Sequence, residues 1–529
     1  MLQSKTKKHI VPVLIFSFFF FIFLTSSGGH TDPSDGFVYF IMTENFVKKG
    51  SPTLNINSPT ALDFNFDVEK KISGRTSGMA KYEYDKNPVP DLTRNEYIKS
   101  TIENANREEF VGPYYVALPT VAVPLYVIAE LFGFYPFTFV SLFLNSIIIA
   151  LICVVIFIFG KSVFGSVKIG FVLALIFGVT SFIWPYNSSM FARPLAILFL
   201  MYGFYMIYDK NKENIIIPFM SALFVGLSVL AHPLFIIFMP GLLIYGIFSF
   251  KEDRKKLIMF IVGTVTISVF LALVNYVRFD SVLDFGWGYI QEGSLVTWTT
   301  EGLYAFLISP GRSIFLYFPI AILFPLGIYR LYKKEKLLSI TIVYLFLVTY
   351  LLISLSSNWN TSMAWGPHRH LLPIIPLVVI SIGSLLVSPS QNMRRIIISL
   401  SAVGFIVNII AVLVWYRFTM SLSRGVAHQF GILENYLDVR VWDPLISPIV
   451  TNFIVLATDY VGRITSDVVR DGIQYKMVIS GCSVDVFIYC KFGIIPIILL
   501  GILIAILGFI ILYFIGIVGN KKPIRVKND

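Results

Sequence analysis

The chain has 529 residues, 56% of them hydrophobic and 14% charged, with a mean hydropathy of +0.76 and a formal net charge of +11. Soluble globular chains do not combine such values. The positive charge does not point to nucleic acid either, because Lys and Arg fall in short clusters between apolar runs, the pattern of topology signals.

Apolar runs close to the ~20 residues that a bilayer requires occur at 10–26, 138–160, 167–185, 189–208, 215–231, 233–250, 257–277, 313–331, 337–356, 370–388, 396–416 and 492–518. The expected class is therefore an all-α polytopic membrane protein. The first run has a basic start and ends in Thr25-Ser26-Ser27-Gly28-Gly29, as a signal peptide can. Its long apolar core, Ile10 to Leu24, and the lack of an A-x-A pattern favour a retained span.

Directly after it comes Gly29-His30-Thr31-Asp32-Pro33-Ser34-Asp35-Gly36. A carboxylate at the end of a spanning segment loses part of its hydration, which makes Asp32 and Asp35 functional candidates. Capping of the helix that begins near Gly36 is the plainer role for both. An amphipathic stretch, Phe37 to Lys49, follows, and a second helix is expected over Arg94 to Glu109, opened by the capping box Thr93-Arg94-Asn95-Glu96. Between them, Lys70 to Asp91 is polar and reads as loop.

The stretch Gly112 to Gly133 contains Pro113, Pro119, Pro124 and Glu130. As a crossing span it would put Lys161 and Lys168 on the wrong side, so it is read as interfacial or re-entrant, with a kinked thirteenth span as the alternative. Without it, one orientation places every basic cluster in the cytoplasm, with both termini inside. The outer segments are then 27–112, 278–312 and 418–491, with a short turn at 357–369. In the last long loop Cys482 and Cys490 can pair if it faces an oxidising compartment, while Cys153 lies within an apolar run.

No phosphate-binding glycine loop, dinucleotide fingerprint, H-E-x-x-H helix or G-x-S-x-G elbow is present. An enzyme with this sequence must take its activated substrate from the lipid phase and draw its acid and base groups from the outward corners. Asp32 and Asp35 supply carboxylates there; Arg193, His232, Arg312, His368, Arg369 and His370 supply groups that clamp an anion at span ends. Arg312 lies in Ser309-Pro310-Gly311-Arg312-Ser313, where helix-start amides and a guanidinium both favour a phosphate. Trp287, Tyr289, Trp298 and Trp365 are aromatic residues of the kind that forms an interfacial belt.

Several stretches resemble the GT-C glycosyltransferases that use polyprenyl-phosphate sugars, of the protein-mannosyltransferase and aminoarabinose-transferase kind. Asp35-Gly36-Phe37-Val38-Tyr39 with Glu44 to Gly50 looks like the D-x-x-x-Y…G signature after their first span. Gly112-Pro113-Tyr114-Tyr115 with Pro124-Leu125-Tyr126, Asn275 to Asp280 with Gly286-Trp287-Gly288-Tyr289, Ser309-Pro310-Gly311-Arg312, and Trp365-Gly366-Pro367-His368-Arg369 with Leu372-Pro373 follow in the family's order. Each motif is short, so order and topological placement carry the resemblance, which extends to about residue 450.

The resemblance implies a GT-C-like bundle of about 12–13 transmembrane helices and an inverting transfer to an extracytoplasmic acceptor, with Asp35 as base and Tyr39 beside the sugar or lipid. Many members have an acidic residue after that aspartate; here Gly36 stands there and Asp32 lies three residues earlier. Asp32 then shares the base role, orients the acceptor or binds a metal. No cofactor is expected, and a divalent cation held by His30, Asp32 and Asp35 is the minority reading. Residues 1–417 would form the catalytic module, 418–491 a loop or small lid, and 492–529 the last span and a basic tail. The alternatives are a multi-span transporter or flippase of a lipid-linked or anionic substrate, and a lipid-scaffold protein.

Overall fold

Residues 2–30, 35–51, 115–188, 190–209, 214–279, 281–283, 299–356, 359–360, 365–415, 419, 423, 440–458 and 484–519 are described by a computed structural model. Each of the twelve apolar runs contains helix. In chain order the main helices are α1 (Leu2–Thr25), α2 (Asp35–Lys49), α3 (Ala117–Leu131), α4 (Pro136–Phe164), α5 (Val167–Thr180), α6 (Ala192–Tyr208), α7 (Ile216–Ala231), α8 (Met239–Phe250) and α9 (Arg254–Phe279). They continue as α10 (Glu301–Ile308), α11 (Ile314–Tyr317), α12 (Phe324–Tyr332), α13 (Lys336–Ser354), α14 (Ile374–Leu386), α15 (Gln391–Val412), α16 (Pro448–Thr458), α17 (Phe487–Phe492) and α18 (Ile494–Gly519). Among the described residues there is no strand, and six helices are long and apolar enough to cross a membrane.

Local sequence explains the boundaries. α4 opens on Pro136, whose missing N–H costs nothing in the first turn, and closes on Gly165 at φ +66°, donating to the Lys161 carbonyl. Ser166 and Ser390 cap α5 and α15 through their side-chain oxygens. The run at 313–331 is not one span but three pieces, α11, a 3-10 turn Pro319–Leu323, and α12. Pro319 and Pro325 cannot donate the backbone bonds that an unbroken helix would need.

Freed backbone groups inside such a bundle must find protein partners, since hydrocarbon offers none. Asn408 of α15 supplies them: its Nδ2 donates to the carbonyls of Thr180 (3.2 Å), Tyr317 (2.9 Å) and Gly404 (2.8 Å), and its Oδ1 accepts from the Trp365 indole (3.3 Å). Asn187, in the 3-10 turn Trp184–Ser188, likewise donates to the Phe23 carbonyl at the end of α1 (2.6 Å). Asn187 is buried, so its glycosylation sequon has no accessible amide.

One hydrophobic core extends from α1 to α18, with α4 at its centre against α1, α3, α5 and α6. α9 and α18 instead turn rows of Ile, Val, Leu and Phe outward, including Val265, Val269 and Leu273 on α9 and Leu499, Ile502 and Phe509 on α18. In water such faces would drive aggregation; against lipid they are neutral or favourable. The 112–133 stretch holds α3, only 15 residues long, packed on α2 and α4.

Cys490 is disulfide-bonded and Cys153 is free and buried; Cys482 lies outside the described residues, as does the helix expected over 94–109.

Candidate active site

The polar residues from span ends meet at one end of the bundle. Asp35 opens α2, Arg193 begins α6, His232 follows α7, and His368, Arg369 and His370 form the turn that leads into α14. A helix start suits a carboxylate through the dipole, and here that carboxylate also meets a partner: Arg369 Nη2 lies 3.1 Å from Asp35 Oδ2, with both side chains partly open to solvent.

Behind this pair the groups are buried. Arg193 donates from Nε to His370 Nδ1 (3.2 Å), and its Nη2 lies 3.2 Å from His370 Nε2. His368 Nδ1 accepts the His370 backbone N–H (3.2 Å), and the two rings stack at 4.8 Å. The His232 ring lies 5.5 Å from that of His370. Phe191 carries Arg369 at 5.2 Å and Arg193 at 5.9 Å from its ring centroid, which spaces two like charges with a cation–π surface.

Burial and the neighbouring arginines hold all three imidazoles far below their ordinary range. For His368 burial acts most, followed by Arg312, Arg369 and Arg193; for His370 burial is followed by Arg193; for His232 by Arg193 and Arg369. The imidazoles are therefore neutral near pH 7, and the bound Nδ1 atoms of His368 and His370 are acceptors. The cluster carries an excess of guanidinium charge around one carboxylate. Chemically, it can hold an anion next to a base.

Arg312 is buried and commits Nη1 to the Gly366 carbonyl (3.0 Å) and Nη2 to the Asn360 carbonyl (2.7 Å). It thus shapes the turn that presents His368 and Arg369 and adds charge to it. Tyr39, one helical turn after Asp35, is buried and lies within electrostatic reach of Arg193 and Arg278. Trp365 is buried, edge-on to Tyr317 at 5.1 Å, with its indole N–H on Asn408.

His30 is placed differently. Its Nε2 lies 2.7 Å from Asp485 Oδ1, and its ring packs 4.5 Å from that of Trp415. With Tyr186, Ser188, Phe191 and Trp365 these residues line a cavity that shares Phe191 with the arginine cluster. Among the described residues no group of three His, Cys, Asp or Glu could hold a metal ion. Asp32, Trp287, Tyr289 and Trp298 lie outside the described residues.

Three neighbours were not among the expected site residues, although Tyr115 and Arg278 lie in stretches that resemble the family. Arg278, at the last turn of α9, lies 5.6 Å from the centroid of Tyr115, and Tyr115 lies 6.0 Å from His232. Phe191 sits two residues before Arg193 and separates the guanidiniums. A basic residue ending an apolar run, as Arg278 does, and the proline-rich motif that ends in Tyr115 are the signals that could have added these two; for Phe191 there is none.

No protein-family model matches the chain, and no curated protein matches it in sequence. Among solved structures, a crystal structure of ArnT from Cupriavidus metallidurans bound to undecaprenyl phosphate is similar at 11% identity, over 75% of this chain and 76% of that one, with a TM-score of 0.40. Superposition at that level leaves the chemistry of this site to be argued from its own residues.

Proposed function

We propose that the chain is an integral membrane glycosyltransferase of the GT-C type, which moves a sugar from a polyprenyl-phosphate donor to an extracytoplasmic acceptor. The observation that carries this reading is the Asp35–Arg369 pair at 3.1 Å, a partly exposed carboxylate set against a buried cluster of guanidiniums and neutral imidazoles.

In the proposed reaction Asp35 takes the proton from an acceptor hydroxyl as its oxygen attacks the anomeric carbon, and the bond from that carbon to the phosphate oxygen breaks with inversion. The departing polyprenyl phosphate keeps the electron pair. Arg369 and Arg193, with the neutral His368, His370 and His232 as hydrogen-bonding groups, hold that phosphate and stabilise its charge as the bond breaks. Arg312 contributes charge and fixes the turn. Tyr39, Trp287, Tyr289, Trp298 and Trp365 are the proposed sugar and lipid contacts, and Asp32 an orienting group for the acceptor.

The site would face away from the cytoplasm in the plasma membrane, with both termini inside, residues 1–417 forming the catalytic module and 418–491 a loop over it. The test is release of polyprenyl phosphate when purified protein is given a panel of polyprenyl-phosphate sugars, with and without chelator. Undecaprenyl phosphate is the first carrier to try. Asp35→Asn, folded and at normal yield, should lose transfer; full activity in that variant would sink the assignment. Vesicle uptake of an anionic substrate without sugar transfer would instead favour transport.

A further inference from the structure

Arg440 is buried, 4% exposed, and its Nε, Nη1 and Nη2 lack a hydrogen-bond partner among the described residues. Its backbone is pinned. The next residue, Val441, accepts from Ser309 Oγ (2.6 Å) and from the Gly311 N–H (3.0 Å). Gly311 makes this approach possible, since a Cβ there would lie 2.5 Å from the Arg440 carbonyl oxygen. The 440–441 segment is thereby locked onto the 309–313 turn that carries Arg312, and both guanidiniums act electrostatically on Tyr317.

Among the described residues, the acidic groups of the neighbouring segments are engaged elsewhere. Glu301 Oε1 accepts from the Trp442 indole (2.9 Å), and Asp443 Oδ1 caps the Leu445 N–H (2.8 Å). The Tyr317 hydroxyl donates to the Pro310 carbonyl (3.2 Å). A guanidinium cannot relieve its burial by losing a proton, as a lysine or histidine can. An unpaired buried charge is strongly destabilising, and five N–H donors without acceptors add to that cost.

We infer that Arg440 binds an oxyanion of the phosphate type beside Arg312, at a position that no motif of the sequence marks. Charge from both Arg440 and Arg312 reaches Tyr317, so a phosphate there would meet more than one cation, and the planar fork of Arg440 offers paired N–H donors to two of its oxygens. The phosphate comes either from a lipid headgroup or from free phosphate. This inference does not depend on sugar transfer.

The experiment compares full-length wild type with Arg440→Met and Arg440→Lys by thermal unfolding at constant ionic strength. One arm titrates inorganic phosphate into delipidated protein in neutral detergent. The other places the protein in phosphatidylcholine bilayers with or without phosphatidylglycerol or undecaprenyl phosphate.

Without phosphate, Arg440→Met should unfold at a higher temperature than wild type, because an uncompensated charge is gone. In the responding arm wild type should be stabilised, with the half-saturating concentration raised about tenfold or more in Arg440→Met and by less in Arg440→Lys. A response only to lipid phosphate assigns the headgroup; a response to inorganic phosphate assigns the free ion. Lower stability of Arg440→Met without phosphate, or equal responses of wild type and Arg440→Met in both arms, overturns the inference. If Arg440→Met does not fold, Arg440→Lys decides: an unchanged phosphate response refutes it.

Discussion

His30 Nε2 and Asp485 Oδ1 lie 2.7 Å apart although 455 positions separate them in the chain. The bond is one of several between the corner after α1 and the segment before α17. The Phe487 N–H donates to the Ser27 carbonyl (3.0 Å), and the Asp485 N–H donates to the Leu413 carbonyl (2.8 Å). The Gly28 N–H donates to Ser188 Oγ (3.0 Å), so the same corner is also held by the 3-10 turn after α5. Residues 27–30 are therefore set by residues from three distant parts of the chain.

That corner has no room for a side chain at its glycines. Gly29 adopts φ +68°, and a Cβ there would lie 2.7 Å from the Phe487 ring; a Cβ on Gly28 would collide with both His30 and Asp485. Gly29→Ala should cost about 1–3 kcal/mol of stability. Thermal unfolding reads that cost. Gly28→Ala should mimic loss of the His30–Asp485 contact, and a stability equal to wild type in both variants would show that the corner is not clamped.

Arg369→Gln separates stability from chemistry. The Asp35–Arg369 pair is partly solvated, so its loss should change stability by about 1 kcal/mol or less. On the proposed reaction, loss of the Arg369 charge should lower kcat by about 10²-fold. The measurement is kcat beside the unfolding midpoint; equal losses of activity and folded protein would reduce the pair to a structural contact.

The imidazole cluster predicts an acid limit. His232, His368 and His370 bind protons in the folded protein only far below the ordinary value of about 6.5, whereas the unfolded chain binds them near that value. Between the two the unfolded state holds more protons, so stability rises with pH in that window and falls as pH drops below about 6.5. Each such proton contributes a slope of about 1.4 kcal/mol per pH unit. His368→Gln with His370→Gln should flatten the decline of the unfolding midpoint between about pH 6.5 and 5; an unchanged slope would show that these rings are not its source.

Asn408→Leu should be among the more damaging single changes in the bundle. It removes the side-chain amide that serves the Thr180 and Tyr317 carbonyls and the acceptor of the Trp365 indole. Each orphaned group costs about 1–3 kcal/mol. Loss of folded yield, with Asn408→Gln less severe, is the expected outcome; a stable Asn408→Leu variant would show that α11 and α5 satisfy those carbonyls without it.

The helical class and the approximate runs were readable because a bilayer imposes both length and composition. Where a run breaks was not, as the three pieces of 313–331 show. Proline marks a weak point, but whether the chain continues straight depends on a distant donor such as Asn408. The gathering of Asp35, Arg193, His232, His368, Arg369 and His370 at one end was legible from ionisable residues that end apolar runs. The partners of His30 and the setting of Arg440 were not, since Asp485 and Val441 act through contacts between loops that carry no periodicity. Arg278 was visible as a basic residue ending α9, yet its role beside Tyr115 depends on a close approach that only folding creates.

α14 is short for a helix that has to cross a bilayer. Its 13 residues rise about 20 Å, against the ~30 Å of a bilayer's hydrocarbon. Arg394 and Arg395 follow soon after its end and mark one membrane face. A helix of that length does not by itself cross the hydrocarbon, so the 369–373 turn before it would supply part of the span. On the proposed reaction, a short α14 would hold the Asp35–Arg369 pair below the headgroup plane, and a lipid-borne phosphate would come to it from the side.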